Sequence, residues 1–200
     1  MFQHIKLFMK ILDIATNRRT TRKFNNESIK EEDIRYILET AVQAPSGSNL
    51  QPWRFIIVSH AEQKKRIREA AEKGEHTFYE SINEERKKWY NAKGLSPTKT
   101  MLTQAPVLLI VLGDTTAPNY KPSVWISIAY AILAAEERGL ATVTYTPSDP
   151  KFVTIAVEAP KNFSVESIIP LGYSDDSKPK EERKSIHMVS FKDRWGVRSS

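Results

Sequence analysis

Apolar positions recur along the chain with two different periods, and each period marks a kind of element. Between residues 4 and 16, Ile5, Phe8, Leu12 and Ala15 fall on one stripe at helical spacing. A polar stretch from Asn17 to Asn26 interrupts it. Ser28 with Glu31 three residues on matches a capping box, and behind it Ile34, Ile37, Leu38 and Ala41 form the apolar face of a second helix. Pro45 ends that helix, and PSGSN at 45–49 is a loop of small polar residues. Trp53 to Ser59 reads as a strand bounded by Pro52 and His60. A charged helical segment runs on to about Tyr90, followed by a loop containing Gly94 and Pro97. Pro106 to Gly113 (PVLLIVLG) is unbroken apolar sequence of strand length, the pattern of a strand covered on both faces. Residues 123–138 give the most hydrophobic helix, with Gly139 at its C′ position. A short strand at 141–145, a turn at 146–150, a brief helix at 150–157 and a strand at about 163–171 complete the pattern. A tail runs from Tyr173 to Ser200.

Helices and strands interleave without regular βαβ alternation, so the fold expected is α+β: a central, mostly antiparallel sheet flanked by helices. Two hundred residues make one domain, spanning 1–200, and leave no room for a second of ordinary size. No repeat is visible, and no Gly-rich dinucleotide or P-loop motif follows a strand. No GxSxG elbow marks a serine nucleophile either.

Composition narrows the chemistry further. A 40% hydrophobic and 27% charged chain is an ordinary soluble domain. With no cysteine, disulfides, iron–sulfur clusters, thiolate zinc sites and cysteine nucleophiles are excluded. The four histidines are scattered, so no metal site is expected. No stretch approaches the ~20 apolar residues of a membrane span. Lys6, Lys10 and Asp13 break the apolar N-terminus where a secretory signal would be continuous, which suggests a cytoplasmic protein. The net charge is +6, and most Lys and Arg sit on helices among Glu, as over 62–90, the composition of a solvated helix face. A basic module for nucleic acid or another anion is the rival reading, and it lacks the interleaved aromatics and signatures of such modules.

Three segments carry polar groups that core packing does not require. Arg18-Arg19-Thr20-Thr21-Arg22-Lys23-Phe24 sets guanidiniums beside hydroxyls and reads as a solvated loop or as donors to a phosphate. Pro45-Ser46-Gly47-Ser48-Asn49-Leu50-Gln51-Pro52 is a loop fixed by prolines at both ends. It reads as a self-satisfied turn or as the surround of a planar polar ligand. Lys180 to Lys184 is a charge run, solvent-exposed by composition.

Taken together these segments resemble the nitroreductase family. ArgArgThr-x-Arg-x-Phe at 18–24 is similar to its RRS-x-R-x-F opening, and ProSer-x-x-Asn-x-GlnProTrp-x-Phe at 45–55 to its second motif. The helix ending in AlaAlaGluGluArgGlyLeu, the Pro170-Leu171-Gly172-Tyr173 run with Lys178-Pro179 and Arg183-Lys184, and PheLysAspArgTrpGly at 191–196 follow in register. The resemblance implies an FMN-dependent homodimer with flavin sites at the subunit interface, the 173–200 tail contacting the partner. Carried over residue by residue, Arg18, Arg19 and Thr20 match the phosphate and ribityl end, joined by Arg183 and Lys184 from the tail. Arg22 matches the cation at the flavin N1–O2 edge, which would favour the anionic reduced ring. Ser46, Ser48, Asn49 and Gln51 match the loop that the partner lays against the flavin, and Tyr145 and Thr146 the segment facing N5.

The activity implied is ping-pong: NADH or NADPH reduces the flavin, and an electron-poor small molecule such as a nitroaromatic or quinone reoxidises it, without nucleic acid or membrane. A specialised family chemistry is the alternative: dehalogenation, flavin destruction or dehydrogenation of a peptide-derived substrate. A flavin-binding protein without turnover is a further one. Pro147 departs from the family pattern, since it offers no N–H to the flavin O4. The charged 61–99 segment matches no family motif, and its aromatics Phe78, Tyr79, Trp89 and Tyr90 are expected in the core rather than in a lid.

Overall fold

The computed structural model describes residues 10–197; the first half of the expected N-terminal helix, with Ile5 and Phe8, lies outside the described residues. Helix α1 spans Ile11–Asn17, and only Ile14 on it is buried. Leu12 and Ala15, expected on its packed stripe, face solvent. Helix α2 spans Glu31–Ala41 and packs through Ile37 and Ala41, with Ile34 and Leu38 partly covered. Its N-cap is Lys30 rather than Ser28, so the capping box does not form. The first turn is stabilised instead by Glu31, Glu32 and Asp33 against the helix dipole.

Strand β1 (Trp53–Val58) pairs antiparallel with β2 (Val107–Asp114), which pairs with β4 (Phe163–Gly172); the short β3 (Ala141–Thr142) closes the order β1-β2-β4-β3. All these pairings are antiparallel. β2 is buried from Val107 to Gly113, which explains its unbroken apolar sequence: its alternate side chains enter two separate cores. Leu108, Ile110 and Leu112 join Ile67, Leu102, Val153 and Ile168 on one side. Val107, Leu109 and Val111 join Ile37, Val124, Ile128 and Ile169 on the other. Each fully buried Leu or Ile contributes about 1.5–3 kcal/mol of transfer free energy, so this strand is the hub of the fold. A bulge between Val111 and Leu112 leaves Glu166 of β4 as the extra residue.

The charged segment after β1 divides into two helices, α3 (Ala61–Ser81) and α4 (Glu84–Ala92). The break falls at Asn83, whose side chain accepts from the Arg86 N–H and caps α4. A single turn, α5 (Met101–Gln104), leads into β2. The apolar helix, α6, is longer than expected at Tyr120–Glu137, and Gly139 follows it at φ +73° as a left-handed C′ residue. Gly113 lets α6 start against the sheet, because a Cβ there would lie 2.5 Å from the Tyr120 ring. α7 (Pro150–Ala156) covers the α3 side of the sheet. The tail carries one more turn, α8 (Ile186–Val189). No helix among the described residues is long and apolar enough to cross a membrane.

The four aromatics of the charged segment do not enter either core. Phe78, Tyr79 and Tyr90 are half-buried and Trp89 is exposed; together they stack where α3 meets α4, with centroids 5.2 to 5.8 Å apart. The core assignment fails because the helix break at Asn83 folds α4 back beside the end of α3, where the rings can only cover each other.

Candidate functional site

Two cavities of 790 and 140 Å³ share Arg22 and Lys178 in their walls. The smaller is lined by Arg19, Thr20, Arg22, Lys180 and Arg183, a concentration of cations from the segment after α1 and from the tail. These segments are laced together by backbone bonds. Thr21 N–H donates to Thr142 C=O at 3.0 Å, Asn25 N–H to Tyr173 C=O at 3.1 Å, and Asp175 N–H to Lys23 C=O at 3.0 Å. Arg19 acts as a strap, donating to the Lys178 carbonyl at 2.7 Å, to Ser174 Oγ at 3.0 Å and to the Asp176 carbonyl. Asp176 accepts from the backbone N–H groups of Arg22 and Lys178. Burial works to raise its carboxyl, but those two amides and the charges of Arg19 and Lys23 hold it below the usual range. Lys180 Nζ caps the end of α1 by donating to the Ala15 and Thr16 carbonyls.

The Arg22 side chain makes no hydrogen bond or ion pair among the described residues, and it faces both cavities. Arg18 lies behind the cluster, half-buried; burial lowers its pKa, the Glu136 carboxylate opposes that, and nearby Arg183 adds to it. Burial in turn raises the Glu136 carboxyl against the pull of Arg18, Arg19 and Lys180. Two hydroxyls beneath this end, Thr21 Oγ1 and Thr142 Oγ1, are buried without a partner. Cations and hydroxyls gathered with few carboxylates make this end suited to an anion such as a phosphate.

Lys99 and Tyr145, in the wall of the larger cavity, reach back to a second constellation built on α3. Ile67, Ala71 and Glu75 recur every fourth residue on its buried stripe, so an acid stands where the apolar pattern should continue. Glu75 Oε2 pairs with Lys99 Nζ at 3.1 Å, the side chains being 6% and 11% exposed. Its other oxygen, Oε1, accepts from Tyr145 OH at 2.8 Å, Ser148 N–H at 3.1 Å and Ser148 OH at 2.8 Å. Burial, followed by the Glu75 charge, pushes the Tyr145 phenol well above its ordinary pKa, so it stays a donor. Tyr79 is raised by burial and then by the same carboxylate. Lys99 lies over the rings of Tyr145 and Tyr79, 5.4 and 5.9 Å from their centroids. Its backbone N–H donates to Glu72 Oε1 at 2.6 Å, and Arg68 Nε holds that same oxygen at 2.7 Å. Gly74 admits the turn that carries Ser148, because a Cβ there would lie 3.1 Å from Asp149 N.

The residues picked from sequence are distributed unevenly over this geometry. Arg19, Thr20, Arg22 and Arg183 line the small cavity, while Tyr145 and Thr146 line the large one with Arg22. Lys184 lines neither. Ser46, Ser48, Asn49 and Gln51 are brought to neither cavity within one chain. They form a separate loop at the start of α6, held by Gly47 N–H to Ser123 Oγ at 3.3 Å and Gln51 N–H to Ser46 Oγ at 3.0 Å. Ser48, Asn49 and Gln51 have φ of 50°, 55° and 48°, left-handed positions on either side of right-handed Leu50 that cost about 1–2 kcal/mol each. Glu75, Lys99, Ser148 and Glu72 were not singled out. The available signal was the charge at position 75 in the Ile67–Ala71 register, hidden inside a charged run.

The model of the nitroreductase family matches residues 15–173. An iodotyrosine deiodinase of Thermotoga neapolitana is 43% identical over 179 residues, covering 89% of this chain and 96% of the relative. One of Haliscomenobacter hydrossis is 34% identical over 168 residues, covering 78% and 76%. A crystal structure of oxidized iodotyrosine deiodinase bound to FMN and 3-iodo-L-tyrosine superposes with a TM-score of 0.83 at 42% identity, covering 88% of this chain and 96% of that one. These relatives overturn the expected activity, NAD(P)H-driven reduction of a nitroaromatic or quinone: they are deiodinases, and they favour the dehalogenase alternative. With a family model spanning most of the chain and a relative this similar over nearly its whole length, the chain belongs to the nitroreductase family.

Proposed function

We propose that the protein is an FMN-dependent reductive dehalogenase whose substrate is a halogenated tyrosine. The observation that carries the reading is the buried Glu75–Lys99 pair, whose lysine lines the 790 Å³ cavity, read beside a 42% identical structure bound to FMN and 3-iodo-L-tyrosine. A free amino acid carries an ammonium and a carboxylate on one carbon. Glu75 and Lys99 offer their opposites 3.1 Å apart, so a ligand can exchange into the pair without leaving either charge unmatched. Tyr79, with its ring under Lys99, supplies an aromatic cover for a phenol ring.

The fit to FMN rests on this chain's own groups. The small cavity gathers Arg19, Thr20, Arg22 and Arg183 for a phosphate, with Arg18 behind them, and the 790 Å³ cavity has the size range of a ligand site. Arg22, free of protein partners among the described residues and facing both spaces, is placed to carry charge toward a ring edge. When bound, FMN supplies the two electrons that break the aryl carbon–halogen bond: the carbon gains a proton and the halogen leaves as halide. The protein holds the amino acid, excludes water with the α3–α4 aromatics, and keeps the Tyr145 phenol protonated beside the site.

The working form is a homodimer. Trp125, Ile126 and Tyr130 leave one face of α6 exposed by 37–39%, and Leu50, Ile186, Met188 and Trp195 add apolar surface on the loop and tail. A second copy covering that face would also bring the polar 46–51 loop, with its three left-handed residues, toward the partner's cavity. The test is direct: the purified protein heated to release its chromophore gives FMN, and the FMN-loaded protein binds 3-iodo-L-tyrosine in preference to tyrosine. A protein that takes up no FMN, or binds no halotyrosine when loaded, ends the proposal.

A further inference from the structure

Glu75 and Lys99 can serve a zwitterion only if each stays in place once a ligand separates them, and the structure gives each its own anchor. Lys99 is fixed through its backbone N–H to Glu72, which Arg68 holds in turn. Glu75 is fixed from a different element: the segment after β3, where Tyr145 exchanges backbone bonds with Ile168 of β4 at 3.0 and 2.8 Å. That segment directs Tyr145 OH, Ser148 N–H and Ser148 OH onto the single oxygen Oε1. Three donors exhaust its acceptor capacity, so the carboxylate cannot rotate without losing them. Oε2 is left with Lys99 alone, and both Lys99 and Tyr145 line the large cavity.

We propose that Tyr145 and Ser148 are positioning residues that set the preference for an α-amino group, by locking the Glu75 carboxylate so that Oε2, held only by the exchangeable Lys99 ammonium, receives it. The inference rests on the halotyrosine reading above. Lys99 moves to the ligand carboxylate, and the ammonium takes its place on Oε2. The Tyr145 hydroxyl is held in its donor form by burial and by Glu75, so it supports the carboxylate throughout and never competes for the ammonium. Gly74 is part of the same device, since a side chain there would press back the turn that carries Ser148.

The experiment is calorimetric binding to the FMN-loaded protein of two probes: 3-iodo-L-tyrosine and its des-amino analogue, 3-(4-hydroxy-3-iodophenyl)propionate. Unmodified protein should prefer the amino acid. Tyr145→Phe should weaken 3-iodo-L-tyrosine by about tenfold or more, the scale of one lost hydrogen bond to a charged group, and change the analogue by less than about twofold. Ser148→Ala should do the same more weakly, because the Ser148 N–H remains. Retention of the full amino preference in both variants overturns the inference. So does an equal loss for both probes, which would mark a merely structural role. If the unmodified protein binds neither probe, or binds both equally, the halotyrosine reading itself falls, and that result appears before any substitution is made.

Discussion

At Glu75 and Lys99 opposite charges are buried together and matched; at Arg22, Lys178 and Arg183 cations gather around an open space, with Asp176 already committed to backbone amides. The two regions share one cavity system but are held by different means. The matched pair is fixed by side chains from α3 and the post-β3 segment. The cationic end is tied by backbone bonds and by the Arg19 strap between two irregular segments. A site whose charge is balanced internally selects a ligand that is itself balanced. A site with surplus positive charge selects an anion, and its affinity responds to salt.

The largest effect that would test the contrast is Lys99→Met, which strands the Glu75 carboxylate in the interior. Chemical denaturation should show a loss of about 3–5 kcal/mol, and pairing it with Glu75→Gln should recover much of that. No recovery would mean the pair does not behave as a unit. At the cationic end, Arg22→Ala or Arg183→Ala should weaken FMN by on the order of 2–4 kcal/mol with little change in fold stability. Lys184→Ala, outside both cavities, should stay within about 0.5 kcal/mol. Equal losses from Arg22 and Lys184 would show that only bulk charge matters. Third, Trp125→Glu on the exposed α6 face should shift the protein toward monomer in sedimentation, by about 2 kcal/mol or more of association free energy. A smaller effect than these is expected from Gly74→Ala, Lys184→Ala being the control. Crowding against Asp149 costs about 1–3 kcal/mol and better helix propensity returns ~1. Its halotyrosine affinity should fall along with its stability.

The sheet and its order of elements were legible because their signals are local. PVLLIVLG announced a doubly covered strand, and Gly139 announced the end of α6. The capping box at Ser28 failed because the N-cap lies two residues later, at Lys30, where acidic first-turn residues suffice. The stripe through Leu12 and Ala15 failed because α1 buries a single residue, Ile14. The cationic cluster was visible because Arg and Lys runs stand out in any sequence. The matched pair was not, because Glu75 and Lys99 are 24 positions apart, the first hidden in a run of mixed charge and the second alone in a polar loop. Only the fold of the segment before α5 against α3, where the Lys99 N–H meets Glu72, brings them to one place.

The central claim is tested most directly by a single reductive turnover. FMN-loaded protein, reduced with dithionite and freed of excess reductant under nitrogen, is mixed with 3-iodo-L-tyrosine, and flavin absorbance, iodide and tyrosine are followed together. The account predicts that the flavin reoxidises while iodide and tyrosine appear in equal amounts, matching the flavin consumed. Flavin that stays reduced in the presence of bound 3-iodo-L-tyrosine, with no iodide released, would contradict it.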